Sequence, residues 1–299
     1  MTIIVENWSN GYSCLLDENW FLPHPSLGFR TNPAFKGCRF VKGEESYRFD
    51  CGLDALGYRL CRPLGQEPGS GPKVWSYGCS YGFGWAVADE QTFPWLLQER
   101  NPHWHVSNFA AGGYGTTQNL LHLMRQIQIE KPDLVIFNFQ DDHIWRNVAA
   151  PSMLVRYSAI GNDLFEGWTI PRAHFNPKGE VAIKTIPIVD PYLPRVNPEL
   201  VEYDKFYAFL VTSVLLESAC RITLQHGAKF IFAIMDSSRD EFGGRLGDKI
   251  AGLGGHVCDM GIRLVEKEWH LYPYDLGHPN ANANRHYADC LNRAAQSLI

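Results

Sequence analysis

The sequence predicts an α/β fold built around a parallel β-sheet, preceded by a small β-rich region. From about residue 73 onward, short apolar segments alternate with longer segments of helical periodicity, and residues 134–139 are almost entirely apolar. Alternating strands and helices are typical of parallel sheets joined by right-handed crossovers. A strand that is nearly all apolar is typical of one buried on both faces. The 299 residues are 45% hydrophobic and 20% charged, which is the composition of a globular protein.

The first 72 residues differ in character from the rest of the chain. They are rich in glycine, proline and aromatic residues, and segments such as 38–41 and 47–50 alternate apolar and polar positions, as short strands do. Residues 65–72 have the composition of a linker. We therefore predict a β-rich N-terminal extension over residues 1–72 and an α/β domain over residues 73–299.

Within residues 73–299 the hydrophobic pattern predicts the elements in turn. Strands are expected at 73–78, 106–110, 134–139 and 229–235, with a short strand near 261–265. Helices are expected at 92–100, 116–130, 203–226, near 245–252 and at 281–298. Residues 146–200 interrupt this rhythm with several prolines and a turn sequence at 176–179, which predicts an inserted hairpin with loops.

Charge and apolar patterning disfavour several classes of partner. The 27 basic and 32 acidic residues give a net charge of −5, without the basic footprint typical of nucleic-acid binders. No apolar run reaches the ~18 residues of a membrane span, so no membrane partner is expected. The N-terminal residues lack a basic stretch and include the acidic Glu6, which disfavours a secretion signal. We expect a cytoplasmic protein, and its oligomeric state has no signature in the sequence.

The cysteines and histidines give no indication of a metal site. None of the eight cysteines forms a Cys-x-x-Cys pair, so reduced and mostly buried thiols are expected. His103 and His105 alternate near the start of a strand, but no third ligand follows them at a fixed spacing. We therefore expect no metal.

The first candidate for chemistry is Ser80, in the turn at residues 78–84. It directly follows a strand and precedes a helix, where a serine hydroxyl is well placed for nucleophilic attack. Its backbone N–H can also point at a developing oxyanion. A purely structural glycine-serine turn is the alternative.

The second candidate is the glycine-rich segment at residues 108–116. Its glycines, among them Gly112 and Gly113, offer bare N–H groups at the positive end of a helix dipole, which suits an anion or an oxyanion. The segment lacks the Lys-Ser/Thr of a P-loop, so a nucleotide is disfavoured. The alternative is a tight strand-to-helix turn.

The third candidate is the polar segment at residues 138–143, which crowds amide and carboxylate groups at the end of an apolar strand. It supplies the possible substrate-binding or oxyanion residues Asn138, Gln140, Asp141 and His143. Capping of a neighbouring loop by Asp142 is an equally good interpretation.

The fourth candidate is the pair Asp275 and His278, just before the last helix. An aspartate three residues before a histidine can hold the tautomer of its imidazole, and such a histidine can deprotonate a serine hydroxyl. An isolated Asp-x-x-His is common, so its significance depends on Ser80 and the other segments.

In order and spacing, these segments resemble the blocks of the SGNH (GDSL-like) hydrolase superfamily. The resemblance covers roughly residues 73–145 and 203–299. The matching positions are Gly78 and Ser80 in the first block, Asn108 and Gly113 in the second, and Asp275, His278 and Pro279 in the last.

The resemblance implies both a fold and a set of roles. The fold would be a flavodoxin-like three-layer α/β/α sandwich with a central parallel sheet of about five strands. Ser80 would be the nucleophile, His278 the general base and then acid, and Asp275 its partner. The backbone N–H groups of Ser80 and Gly113 would form part of the oxyanion hole. The family needs no metal and no organic cofactor.

The chain departs from the family pattern at two places. Cys79 stands where the family has an aspartate beside the nucleophile, a residue outside the triad. More seriously, aligning the third block puts Asp141 where the oxyanion-donating asparagine belongs. A carboxylate donates only when protonated, and losing such a donor costs roughly 3–4 kcal/mol of transition-state stabilisation. Gln140 or Asn138 could donate instead, or Asp141 could point away from the oxyanion.

Two residues just downstream, His143 and Arg146, could supply donors or bind an acidic group of the substrate. For Arg146 a surface salt bridge is the favoured interpretation.

These observations predict a serine hydrolase that cleaves an ester or thioester of a small intracellular metabolite. An acyltransferase with an alcohol or amine acceptor would use the same triad. A non-catalytic binding protein on a degenerate fold of this type is the third hypothesis, motivated by Asp141. The expected partner is a small-molecule ester.

Overall fold

A computed structural model describes residues 3–159, 167–188, 203–237, 242–275 and 277–299. Parts of the insertion predicted at 146–200 lie outside these described residues. The predicted parallel sheet is confirmed, with five strands in the order β13-β12-β9-β7-β8. The strands are β7 (Lys73–Tyr77), β8 (His105–Asn108), β9 (Leu134–Phe139), β12 (Lys229–Ile234) and β13 (His256–Asp259).

Helices cover both faces of this sheet, as a three-layer sandwich requires. Within the described chain they are α1 (Ser80–Phe83), α2 (Phe93–Arg100), α3 (Thr116–Gln126), α4 (Asp142–Asn147), α5 (Pro151–Ala159), α6 (Lys205–Gln225), α7 (Gly243–Gly252) and α8 (Ala281–Gln296). Buried side chains of α3, α6 and α7 pack on one face with Phe137 and Phe232. Those of α2 and α8 pack on the other face with Ile136 and Ile231.

Strand β9 explains why the sheet is so apolar at its centre. All six of its residues are buried, because β12 lies on one side of it, β7 on the other, and helices above and below. Helix α6 is long and apolar enough to span a bilayer, yet 56% of its most apolar window is buried inside the protein. It contacts α3, α4 and α7 and is the core helix of its layer.

The N-terminal extension is β-rich, as predicted. Strands β1 (Ile3–Ser9), β2 (Tyr12–Leu16), β5 (Gly37–Lys42) and β6 (Glu45–Asp50) form an antiparallel sheet, and β3 (Phe21–His24) pairs with β4 (Gly28–Thr31). Phe40 and Phe49 of this sheet pack against Trp85, beside the end of α1. The extension therefore shares one hydrophobic cluster with the α/β unit.

The predicted hairpin is confirmed as β10 (Thr169–Phe175) and β11 (Val181–Pro187). The side chain of Asn176 accepts the backbone N–H groups of Lys178 and Glu180, which closes the turn. Helices α4 and α5 were not predicted in this region. Pro151 begins α5 because a proline at the first helical position needs no hydrogen-bond acceptor.

The strand predicted near 261–265 is wrong. The last strand is β13, whose residues pair in parallel with β12 from Ile231↔His256 onward. Gly261 has φ +65°, which is incompatible with an extended strand. Beyond it, the backbone of Leu264 donates to Asp236, so this segment forms a turn.

Candidate active site

Ser80 lies at the carboxyl end of β7, as the first residue of the short helix α1. Its backbone N–H has no acceptor within the helix, because the first N–H groups of a helix lack one. The turn around it is tight. A Cβ added to Gly78 would lie 3.0 Å from the Asn138 side chain, and one added to Gly82 would lie 2.9 Å from Ala110. Glycine is required here because the strand end and the helix approach each other so closely.

Ser80, His278 and Asp275 form a continuous hydrogen-bonded chain. The Oγ of Ser80 lies 2.9 Å from Nε2 of His278. Nδ1 of the same ring lies 2.8 Å from Oδ2 of Asp275. Since the carboxylate can only accept, the neutral ring carries its proton on Nδ1 and presents a free lone pair to the serine hydroxyl. This is the arrangement in which a histidine can remove a serine proton.

The Asp275 carboxylate is held from both sides. Its other oxygen, Oδ1, accepts the backbone N–H of Gly277 at 2.9 Å. The neighbouring Tyr274 stacks on Tyr47 of the N-terminal extension at 5.0 Å and meets Tyr12 edge-on at 5.2 Å. Asp275 is only 2% exposed as a result. The extension thus packs against the loop that carries the acid of the triad.

Asn280 holds the far end of this loop. Its side chain caps α8 by accepting the N–H groups of Asn282 and Ala283. Its Nδ2 donates to the carbonyls of Glu268 and His270. A single side chain therefore ties the segment after His278 to two other parts of the chain.

Residues 111–115, within the predicted glycine-rich segment 108–116, are called the glycine loop below. Gly113 has φ +77°, which favours glycine, and its carbonyl accepts the Tyr157 hydroxyl at 2.6 Å. The carbonyl of Tyr114 accepts Nη1 of Arg146 at 3.1 Å. Gly112 lies under the Trp20 indole, where an added Cβ would come within 2.3 Å of the ring. The loop is held in one conformation by groups that lie far away in the sequence.

Asn108 links the glycine loop to the nucleophile turn. Its Nδ2 donates to the carbonyl of Gly82 at 2.9 Å, and its Oδ1 accepts the N–H of Ala110 at 3.1 Å. The relative position of the Ser80 and Gly113 N–H groups is therefore determined partly by this buried side chain.

Arg146 was expected to form a salt bridge at the surface, and this prediction is wrong because the residue is buried. The residue is 8% exposed and contacts the glycine loop through Tyr114. Burial alone would lower the pKa of Arg146, but the Cys79 thiol and the Tyr157 hydroxyl raise it, so the guanidinium stays charged. Its Nη2 is 3.7 Å from Asp142. A buried positive charge therefore lies beside Cys79, which precedes Ser80, and Tyr114, which follows Gly113.

Gln140 lies beside the nucleophile turn. Its Oε1 accepts the N–H of Asp142 at 2.9 Å, which orients the amide. The opposite end, Nε2, lies 4.0 Å from Sγ of Cys79, the residue before Ser80. Gln140 is 4% exposed, so this amide is a buried donor next to Cys79, the residue before Ser80. Asp141 is half-buried and immediately precedes helix α4.

Two of the predicted substrate contacts have other partners. Asn138 donates through Nδ2 to Ser76 Oγ at 2.9 Å and to the Tyr77 carbonyl at 2.7 Å, so it links β9 to β7 inside the sheet. His143 is fully buried against the Phe139 ring. Burial, reinforced by the charge of Arg146, holds the pKa of His143 well below its usual range, so the ring is neutral.

Several residues around the site were not predicted. Tyr81 and Trp85 flank the His278 ring at centroid distances of 5.7 and 6.2 Å. Tyr157 comes from helix α5, in a region interpreted as loops, and Trp20 comes from the extension. No local motif marks these residues: Tyr81 and Trp85 lie close to Ser80 in the sequence, and Tyr157 and Trp20 reach the site through the packing of distant elements.

Comparison with known proteins finds similarity in structure alone. No protein-family model matches this chain, and no curated protein matches its sequence. Solved structures that resemble it include TesA, at 13% identity and a TM-score of 0.48, covering 76% of this chain and 99% of that one. The esterase EstA from Pseudoalteromonas sp., inhibited by monoethylphosphonate, matches at 11% identity and a TM-score of 0.47, covering 76% and 98%.

The acetylxylan esterase Axe2 from Geobacillus stearothermophilus also resembles the chain, at 14% identity and a TM-score of 0.44, covering 76% of this chain and 95% of that one. At this level of identity the likeness concerns the fold.

Proposed function

We propose that this protein is a serine hydrolase that cleaves an ester or thioester of a small metabolite. The observation that carries the proposal is the hydrogen-bonded chain from Ser80 through His278 to the buried Asp275, with distances of 2.9 and 2.8 Å. A serine, a histidine and an acid in this order are the parts required for acyl transfer through a covalent intermediate.

In the first half-reaction, Oγ of Ser80 attacks the acyl carbon while Nε2 of His278 takes the hydroxyl proton. The carbonyl oxygen becomes an oxyanion that accepts the N–H groups of Ser80 and Gly113. His278 then gives its proton to the leaving alkoxide or thiolate, and an acyl-serine ester remains. In the second half-reaction, His278 deprotonates water, which attacks the acyl carbon. His278 then returns the proton to Oγ of Ser80 as the acyl C–O bond breaks, which releases the acid and the free serine.

Gln140 supplies the third oxyanion donor in this proposal. Its Nε2 lies beside Cys79, and its Oε1 is engaged by Asp142, so the N–H groups are directed at the nucleophile turn. A donor that is already oriented before the reaction costs no reorganisation. Arg146 is a positioning residue here, because it contacts the Tyr114 carbonyl and acts on the oxyanion through the glycine loop.

The compartment is proposed from the cysteines. All eight are free thiols, and seven of them are buried. Proteins that mature in oxidising compartments usually pair their cysteines. We therefore place the enzyme and its substrate in the cytoplasm.

The test is intact-protein mass spectrometry after treatment with an alkyl fluorophosphonate, which labels an activated serine. Wild type should gain one adduct, and Ser80→Ala should gain none. Ser237→Ala is the matched control, because Ser237 also follows a strand of the sheet but its hydroxyl donates to Asp259. That variant should be labelled like wild type.

An unlabelled wild-type protein at neutral pH would contradict the proposal and favour a binding protein. If wild type is labelled, untreated wild-type protein would then be assayed with acetyl, aryl and thioesters, with and without an alcohol acceptor. Release of free acid at the same rate in both conditions is the expected result. Formation of a new ester with the alcohol would instead indicate an acyltransferase.

A further inference from the structure

One cavity, called the basic cavity below, is lined by residues other than those of the triad. It has a volume of about 390 Å³ and is enclosed by the β3–β4 hairpin, residues 56–58 and helix α3. None of the triad residues lines it. Its volume falls in the range of small-molecule sites, which is roughly 300–1,000 Å³.

The basic cavity is positively charged, although the whole chain is acidic. Arg30 and Arg125 line it, and no aspartate or glutamate does. Arg30 donates through Nη1 to the Leu56 carbonyl at 3.0 Å, which leaves its other N–H groups available. The side chain of Arg125 forms no ion pair or hydrogen bond with any described residue. Two guanidinium groups without a carboxylate are suited to bind an anion, since arginine forms paired hydrogen bonds to phosphate and carboxylate.

Uncharged donors lie in the same wall. The Oγ1 of Thr31 is buried and has no hydrogen-bond partner within the described chain, and the residue is 3% exposed. A buried hydroxyl without a partner is costly unless a ligand or water satisfies it. Nδ1 of His24 accepts the N–H of Leu27 at 3.1 Å, so its neutral ring carries the proton on Nε2 and offers a donor there.

His24 lies close enough to both arginines for their charges to act on its ring. Burial lowers the pKa of His24, and the nearby charges of Arg125 and Arg30 lower it further. His24 therefore stays neutral, and its Nε2–H group is a donor that adds no charge to the cavity. The remaining histidine of the wall, His122, is already engaged with the Tyr58 hydroxyl at 2.9 Å.

Most of the remaining wall is apolar, with Ser26 and Gln126 among the exceptions. The side chains of Leu27, Tyr58, Phe109 and Leu121 line the cavity. At its edge, Leu56 is 62% exposed and Ile129 is 71% exposed. A bare inorganic ion would leave this surface in water, whereas an anion that carries an apolar group would cover it.

We propose that the basic cavity binds a small organic anion, in which a phosphate or carboxylate group is attached to an apolar body. The anionic group lies between Arg30 and Arg125, with Thr31 donating to it. The apolar body lies against Tyr58 and Leu121. None of the triad residues lines the site, although Ala111 and Tyr114 of the glycine loop do, and the proposal does not depend on the proposed hydrolase activity.

The test is isothermal titration calorimetry with two probes, phenyl phosphate and benzoate, on the full-length protein. At least one probe should bind saturably. Inorganic phosphate and benzyl alcohol, which carry only one half of the proposed ligand, should each bind at least tenfold more weakly. Arg125→Gln should weaken the bound probe about tenfold or more, since it removes an exposed charge-assisted donor. Leu121→Trp should abolish binding by filling the cavity without changing its charge.

Arg39→Gln is the matched control, because it removes the same charge from an exposed side chain on β5 that does not line the cavity. It should leave the affinity unchanged, and so should Ser80→Ala. The proposal is overturned if neither probe binds, or if inorganic phosphate binds as tightly as phenyl phosphate. It is also overturned if both Arg125→Gln and Leu121→Trp bind like wild type while their melting temperatures show that they are folded.

Discussion

Replacing Asp275 by asparagine tests the proposed triad most directly, because the carboxylate uses both of its oxygens. Oδ2 faces Nδ1 of His278 at 2.8 Å, and Oδ1 accepts the N–H of Gly277 at 2.9 Å. An asparagine has only one acceptor oxygen for these two N–H donors. If that oxygen stays with Gly277, the amide NH₂ faces Nδ1 and forces the ring proton onto Nε2. His278 can then no longer take the proton of Ser80.

The magnitude follows from this change of tautomer. The equivalent substitution in a serine-protease triad lowers kcat about 10⁴-fold, which corresponds to about 5.4 kcal/mol at 1.36 kcal/mol per factor of ten. We expect a similar loss here, since Asp275 is 2% exposed and no solvent replaces its oxygen. The assay is kcat and KM on p-nitrophenyl acetate, together with the rate of fluorophosphonate labelling.

The matched control is Asp259→Asn. Asp259 also accepts, through Oδ1, the N–H of the residue two positions later, Gly261, at 2.9 Å, but it does not contact His278. This variant should keep kcat within about threefold of wild type. A kcat of Asp275→Asn within tenfold of wild type, in protein that is folded by thermal unfolding, would refute the reasoning about the tautomer.

Three further predictions concern other buried polar groups. Gln140→Leu should lower kcat/KM by about 10²–10³ because one oxyanion donor is lost. Asp141→Asn should leave kcat/KM on the same ester unchanged. A changed kcat/KM in Asp141→Asn, together with an unchanged value in Gln140→Leu, would place Asp141 in the oxyanion hole. Arg146→Met should lower kcat ten- to a hundredfold, because a hydrogen bond to a charged group contributes roughly 1.5–3 kcal/mol. Arg146→Lys should partly restore kcat and leave KM unaffected. Equal losses of kcat in both variants would indicate that the charge does not matter. Burial lowers the pKa of His122 to about 4, against about 6.5 in the unfolded chain. As the pH falls, the unfolded chain therefore binds the proton first. At pH 5 this lowers the free energy of unfolding by about 2 kcal/mol. Urea unfolding at pH 7 and pH 5 should show this loss in wild type and a smaller one in His122→Gln, and equal losses would contradict the assignment.

The extension has a role that its composition did not indicate. It was predicted as a β-rich region ending in a linker, and its strands are present as expected. Its Tyr12 and Tyr47, however, pack on Tyr274 next to the acid of the proposed triad. Trp20, also from the extension, covers Gly112 of the glycine loop. Contacts of this kind depend on complementary shapes, which leave no periodic signal in the sequence.

The sequence by itself determined the parallel sheet and the segments at its carboxyl edge. Strand β9 is apolar at all but one position, and α3 repeats apolar residues at helical spacing, so burial dictates both elements locally. Connection rules for parallel sheets then place Ser80 and the glycine loop at the same edge. The short strand β13 was misplaced because four residues carry too little pattern, and Gly261 ends it.

Only the tertiary structure decided which polar side chains reach Ser80. Ser80 and His278 are 198 positions apart, and their 2.9 Å contact depends on how α8 and its preceding loop pack on the sheet. Asn138 lies in β9 and Gln140 just beyond its end, yet the Asn138 amide links β9 to β7, whereas the Gln140 amide reaches Cys79. Arg146 looked like a surface charge and is buried, because its helix α4 packs against the glycine loop, where its guanidinium donates to the Tyr114 carbonyl. Such choices depend on packing across the whole fold, since a polar group is buried only where distant residues supply its partners.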